Sequence, residues 1–375
     1  MKQIALYVHI PFCVSKCSYC DFCSFVPKRD QIERYIGALL TEIKLVGSKT
    51  NKKVFSIYIG GGTPSVLPDG ALKRIFNCLR KNFKLQPDVS ITIEANPNSF
   101  SHSKAQEFKE CGCNRLSLGL QSADETVLKV LNRKHNYTDL VNAVDYAIQA
   151  GIKDISVDVM LGVPKQTLPI LRNTLRKVVD LPITHISAYG LIVEPGTKIC
   201  NQIKSGELTL PSEDLAVKMY DDTVDYLKKC GFKRYEISNF AKTGYESVHN
   251  KNYWARGEFL GIGLNAYSFV NGVHYKNTSN FYEYCSQLEE GDLPITETEK
   301  ETIKTSKEET IMLALRTETG LDINAFNKQF RTDFEKEYAE KIGKLLKEKL
   351  IKIENGHLMI TNLYISNAVI VEFFD

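Results

Sequence analysis

The chain has 375 residues, 48 of them Lys or Arg and 45 Asp or Glu, for a formal net charge of +3. That length allows about two to three domains, or one α/β barrel with an appendage, and buries about three-quarters of the unfolded surface. The mixed, near-neutral charge gives no footing for nucleic acid or an acidic partner, and no stretch approaches the ~20 apolar residues of a membrane span.

Residues 1–11 carry one lysine and a short apolar run, but also His9 and Pro11 and no small-residue cleavage site, so they read as a first strand and not as a secretory signal. Ten cysteines without such a signal point to a reducing, cytoplasmic compartment. Directly after this strand, Cys13, Cys17 and Cys20 stand in CxxxCxxC spacing. Three thiolates that close can hold three corners of a 4Fe-4S cube and leave one iron without a protein ligand. Zinc asks for a fourth ligand, usually from a second CxxC pair. No such pair follows, since Cys111 and Cys113 are one residue apart and Cys78, Cys200, Cys230 and Cys285 are scattered, yet Cys23 is near enough to serve, so zinc stays open on counting alone.

Apolar runs predict strands over residues 6–10, 54–59, 89–95, 115–120, 155–161 and 184–191. Helical periodicity falls between them, over 31–46, 69–83, 103–111, 124–131, 138–150 and 168–179. Near-regular alternation argues for a parallel α/β sheet, in which ligands gather at the C-terminal ends of the strands. Gly60-Gly61-Gly62-Thr63-Pro64, Glu94, Gln121 and Leu161-Gly-Val-Pro164 all lie at such ends. A further helix over 213–229 is closed by Gly231. From about Glu297 the composition turns to charged helical segments, 307–317, 323–328 and 334–350, and then a hairpin over 351–360 whose turn is Asn355-Gly356. We therefore divide the chain into a barrel domain, 1–296, and a small C-terminal α+β, winged-helix-like domain, 297–375. Near-neutral charge argues against DNA binding by the latter, which leaves a docking or covering role.

The cysteine triplet, Tyr19 before Cys20 and the Gly60–Thr63 turn resemble the radical S-adenosylmethionine (SAM) enzymes. Within that superfamily, His9-Ile-Pro-Phe-Cys13, Glu94-Ala-Asn-Pro97, Arg115-Leu-Ser-Leu-Gly-Leu-Gln121 and Leu161-Gly-Val-Pro164 resemble the oxygen-independent coproporphyrinogen III oxidase family, from about Tyr7 to the chain's end. The resemblance implies a partial (β/α)6 barrel. It also implies a cluster on Cys13, Cys17 and Cys20, with SAM on its open iron and an electron donor whose electron cleaves SAM to a 5′-deoxyadenosyl radical. By the same resemblance, Tyr7 contacts SAM, Gly60, Gly61, Gly62 and Thr63 receive its amino group, and Glu94 takes the ribose hydroxyls. Gln121, Arg133 and Asp158 correspond to a polar set that in the oxidase helps to hold a second SAM.

His249-Asn-Lys-Asn-Tyr253-Trp254 contains the only tryptophan and is similar to the HNxxYW motif of the family's heme-chaperone branch. A neutral imidazole is a suitable axial ligand, and neighbouring aromatics can pack on a porphyrin. The plainer alternative has His249 capping a loop with Tyr253 and Trp254 in the core, just as His9 and His185, in or beside strands, read as satisfied core residues. Two departures from the oxidase favour the chaperone branch: Phe22 stands where the oxidase pattern CxxxCxxCxC has a cysteine, with Cys23 one place off register, and twelve residues precede Cys13 where the oxidase has a long extension. The expectation is a heme carrier that binds a cluster, SAM and heme and serves an acceptor hemoprotein. Radical decarboxylation of coproporphyrinogen III and a redox-inert zinc scaffold are the alternatives.

Overall fold

The first strand, β1 (Gln3–Ile10), buries Ile4, Ala5, Leu6, Val8 and Ile10. A strand sealed on both faces belongs inside a parallel sheet. In the computed structural model, which describes residues 2–374, it lies there. β2 (Lys53–Gly61), β3 (Lys84–Ala95), β4 (Arg115–Gln121), β5 (Asp154–Leu161) and β6 (His185–Gly190) follow beside it in chain order, each parallel to the last. Between them run the helices Arg29–Ser48, Ala71–Asn82, His102–Glu110, Tyr137–Gln149 and Leu168–Val179, each burying an apolar stripe. This is the partial (β/α)6 barrel expected from the sequence, and it brings six strand ends to one rim.

The sheet does not stop at six strands. β7 (Lys233–Arg234) and β8 (Asn239–Ala241) extend it antiparallel past β6, while β9 (Phe259–Ile262), β10 (Tyr267–Val270), β11 (Val273–Asn277) and β12 (Ile295–Lys300) extend it past β1. β9 runs parallel to β1, with Ala5 opposite Phe259, and β10 to β12 return antiparallel. The sequence reading missed these strands. They are two to six residues long, too short to display a period, and in β12 Ile-Thr-Glu-Thr-Glu-Lys is exposed throughout, so no buried face imposes an apolar alternation there. Between β8 and β9 the helix Val248–Trp254 begins at Ser247, whose side chain accepts from the Asn250 N–H. His249 is therefore inside a helix and does not cap a loop.

A second core, with Ile311, Leu315, Phe326, Phe334, Leu345, Leu358 and Phe373, is separate from that of the barrel. It lies under β13 (Leu321–Asp322), β14 (Ile351–Glu354) and β15 (His357–Ile360), ordered β13-β15-β14, and Asn355 (φ 52°) and Gly356 (φ 78°) make the expected tight turn. The single helix expected over 334–350 is instead two, Phe334–Glu337 and Ala339–Lys347. Tyr338 leaves helical geometry and sets its ring 4.8 Å from Phe334 and 5.8 Å from Phe373. Its N–H still donates to the Phe334 carbonyl (3.0 Å), its carbonyl accepts from the Ile342 N–H (2.9 Å), and its ring is half-buried. Among the described residues no helix is long and apolar enough to cross a membrane.

Candidate functional site

The cysteines lie on the loop that leaves β1. The Phe25 N–H donates to the Pro11 carbonyl (2.8 Å) and the Cys13 N–H to the Phe25 carbonyl (3.0 Å), closing the loop at its base. Lys16 Nζ donates to the carbonyls of Phe22 (2.5 Å) and Ser24 (3.0 Å). Ser18 Oγ donates to the Val130 carbonyl (2.7 Å) and Asn132 Nδ2 to the Lys16 carbonyl (2.8 Å), which pins the loop across the rim. Cys13 Sγ faces Thr63 Oγ1 (3.6 Å), Cys17 Sγ faces Arg133 Nη1 (3.4 Å) and Cys20 Sγ faces Ser24 Oγ (4.0 Å), and Ser24 also bonds the Cys13 thiol. Cys23 hydrogen-bonds the Ser279 carbonyl instead (3.8 Å). Burial raises the thiol pKa values of Cys13 and Cys20, offset in part by Thr63 at the first and by Lys16 at the second. A metal centre must therefore drive deprotonation as it binds.

The three sulfurs do not all lie within 4.8 Å of one another. Tetrahedral zinc, with Zn–S about 2.3 Å, holds its sulfurs about 3.8 Å apart. The wider spread suits a polynuclear cluster.

Beside the thiols the ends of β2, β3, β4 and β5 form a polar wall. Gly61 has φ 111°, and a Cβ there would lie 2.3 Å from the His9 ring. A Cβ on Gly60 would lie 2.7 Å from the Glu94 carboxyl. Only bare backbone fits between β1 and that carboxylate. Glu94 accepts from the Tyr58 hydroxyl (2.7 Å) and the Gly61 N–H (3.2 Å). Burial lifts its pKa to about 7 against those two bonds, with neighbouring Asp158 adding to the rise. Asp158 is itself raised to about 6 by burial, although Ser187 and Ser117 (3.3 Å) donate to it. Tyr7 stacks on Tyr58 (6.2 Å, 25°) and bonds His9 Nδ1 (3.0 Å), while His9 Nε2 meets the Cys23 carbonyl (2.8 Å). Gln121, at φ 70°, accepts from the Tyr189 hydroxyl (2.9 Å).

Arg133 joins this wall to the cysteine loop. Besides Cys17 it donates to Asn96 Oδ1 (2.8 Å) and to the Gly119 carbonyl, and its buried Nε has no partner among the described residues. Asn96 Nδ2 in turn donates to Thr63 Oγ1 (3.2 Å). A chain of contacts thus runs Cys13, Thr63, Asn96, Arg133, Cys17 around the mouth. Three thiols, an unpaired guanidinium N–H beside them and a glycine cradle that any Cβ would fill together fit an iron–sulfur cluster with an amino-acid-bearing nucleoside. Asn96, Tyr58, Tyr189 and Ser117 were not picked out from the sequence. Asn96 lies within Glu94-Ala-Asn-Pro97, so that motif held a signal that was not used.

His249 is 1% exposed. Its Nδ1 meets Ser56 Oγ (3.0 Å), its Nε2 meets the Tyr253 hydroxyl (2.9 Å), and burial lowers its pKa to about 3, so the ring is neutral. Tyr253 packs edge-on against Phe259 (4.7 Å), and Trp254 is half-buried. The motif thus lies behind the polar wall and does not present its imidazole to solvent. His9 and His185 are satisfied core residues as expected, the latter bonded to Ser156 (2.8 Å) and Tyr235 (2.9 Å).

Comparison with known proteins bears on the fold and the family. Residues 7–178 match the Radical SAM superfamily and residues 305–363 the HemN C-terminal domain. The solved coproporphyrinogen III oxidase (HemN) of Escherichia coli shares the fold, with a TM-score of 0.88 over 99% of this chain and 90% of that one, at 23% identity. The heme chaperone HemW of Lactococcus lactis subsp. lactis is 34% identical over 96% of this chain and 94% of its own. HemW of Bacillus subtilis is 32% identical over 95% and 94%. Identity at that level over nearly the whole of both chains places the chain in a family as well as a fold: it belongs to the radical SAM superfamily and, within it, to the HemW heme chaperones.

Proposed function

We propose that this chain is a cytoplasmic heme carrier that uses a radical-SAM core as its scaffold, takes up heme and passes it to an acceptor hemoprotein. The observation that carries the reading is its near-full-length identity to proteins named heme chaperones. In this reading Cys13, Cys17 and Cys20 hold a 4Fe-4S cluster, which when bound supplies one-electron chemistry toward SAM. Tyr7 and the Gly60–Thr63 turn position SAM beside it, Glu94 accepts from its ribose, and Arg133, Asp158 and Gln121 line the cavity around it. An external donor supplies the electron. Heme contacts the helix Val248–Trp254, flanked by Tyr253 and Trp254. For His249 to ligate the iron, one of its two ring nitrogens must leave Ser56 or Tyr253. The C-terminal unit from 297 covers and docks.

The shared fold with an oxidase keeps decarboxylation of coproporphyrinogen III as the second reading. The two separate in one anaerobic experiment on reconstituted protein. A carrier takes up heme at one site per chain and yields no protoporphyrinogen from coproporphyrinogen III with reductant and SAM present. Robust decarboxylation would replace the first reading by the second.

A further inference from the structure

We infer that His249 is a positioning residue for the SAM pocket, holding Tyr58 and through it the Glu94 carboxylate. The inference rests on the assignment of Glu94 to SAM and is independent of where heme binds.

Alternation along β2 sends Ser56, Tyr58 and Gly60 to one face, while Ile57 and Ile59 are buried against the other. Ser56 and Tyr58 are the two residues of that inner face that His249 touches. Its Nδ1 bonds Ser56 Oγ at 3.0 Å, and its ring centroid lies 5.2 Å from that of Tyr58 at 36°. The imidazole is fixed in turn by Tyr253, whose ring stands against Phe259 on β9. Tyr58 is thereby held by two rings, His249 and Tyr7. Its hydroxyl donates to Glu94 Oε1 at 2.7 Å, and among the described residues the Gly61 N–H is the only other donor to that carboxylate.

A carboxylate with one backbone donor and one tyrosine is aimed only as well as the tyrosine is. Truncating His249 opens a space behind Tyr58 and leaves the Ser56 and Tyr253 hydroxyls without their partner. The Tyr58 ring then relaxes toward the space, and Glu94 loses its aim before any ligand arrives. The Glu94 side chain itself is untouched, so the loss appears in affinity for SAM and not in cluster assembly.

The test uses reconstituted, cluster-bearing protein and reads the SAM dissociation constant by equilibrium dialysis, with the brown cluster absorbance as a folding check. His249→Ala and Tyr58→Phe should each weaken SAM about tenfold, the worth of one ordinary hydrogen bond. His249→Asn, whose amide can replace Nδ1 at Ser56, should recover much of the loss. The double variant of His249→Ala with Tyr58→Phe should be scarcely worse than either alone, because both act through one ring. Wild-type SAM affinity in His249→Ala overturns the inference. So does a double variant whose losses multiply. Should His249→Ala lose its cluster, His249→Asn combined with Tyr58→Phe decides by the same non-additivity. Glu94→Ala separates the levels: if it weakens SAM and His249→Ala does not, the positioning role alone fails, whereas normal SAM binding in Glu94→Ala removes the pocket assignment beneath it.

Discussion

At the scale of single residues, the cysteine loop divides its four thiols by what surrounds them. Cys13, Cys17 and Cys20 face Thr63, Arg133 and Ser24 at the mouth, whereas Cys23 turns to the Ser279 carbonyl. Replacing any one of the first three by Ala should abolish the visible absorbance of the reconstituted cluster, and Cys23→Ala should keep most of it. Equal loss in Cys23→Ala would require a fourth protein ligand. The triplet and the glycine turn were legible because their chemistry is written within a few consecutive positions. The place of His249 was not, because its partner Ser56 is 193 positions away, and only folding shows that both nitrogens are already engaged. Arg133 was singled out by resemblance, but its contact with Cys17 spans 116 positions and no local pattern reports it.

At the scale of elements, the helix Arg29–Ser48 is fastened to the strands beyond β1 by a buried acid. Glu42 accepts from the Gly263 N–H (2.8 Å), the Tyr284 hydroxyl (2.6 Å) and Asn277 Nδ2 (2.6 Å). Burial still lifts its pKa from 4.5 to about 7. The native chain therefore binds this proton more tightly than the unfolded chain does. Its contribution is fully present below pH 4.5 and is lost as pH rises toward 7, by at most about 1.4 kcal/mol per pH unit. Urea unfolding at pH 5 and pH 7.5 should show the wild type losing stability relative to Glu42→Gln as pH rises, since the other raised acids, Glu94, Asp158 and Glu236, are common to both. Parallel behaviour of the two proteins would show that Glu42 does not titrate in that window. The barrel strands were legible because each carries a run or alternation of buried positions, from three in His185–Gly190 to all seven in Arg115–Gln121. β7 to β12 are only two to six residues long, so their pairing comes from neighbours and not from their own pattern. The break at Tyr338 was hidden for a related reason: helix propensity favoured continuity, and the ring's docking on Phe373 is a tertiary matter.

At the scale of the molecule, two distinct cores meet mostly through polar contacts, with Ile237 packed on the second core and the Tyr220 and Tyr364 rings 5.3 Å apart. The Ile237 N–H donates to the Arg316 carbonyl (2.9 Å), Arg234 pairs with Glu318, and Arg256, just past the HNxxYW helix, pairs with Glu301 and Glu309 (2.6 Å to the latter). Damage to one core should therefore stay largely within it. Leu345→Ala, at a fully buried position of the second core, should destabilise that unit by about 2–5 kcal/mol. In limited proteolysis the variant should be cut first beyond residue 300, with SAM affinity little changed. Loss of SAM binding in step with cleavage would show the two cores to be one cooperative unit.

The pairing of β9 with β1 carries a consequence for the order of events on the ribosome. Ala5 and Phe259 are about 250 residues apart, and at about 5–20 residues per second the later strand follows the earlier by about 12–50 s. For that interval β1 has β2 on one side and a bare edge on the other, the kind of edge that recruits foreign strands. Ser279, which holds Cys23, and the His249 helix emerge within the same late stretch. The cysteine loop is thus made well before the stretch that holds Cys23, so the nascent chain passes through a period in which its thiols can be reached from the side that β9 to β12 later cover.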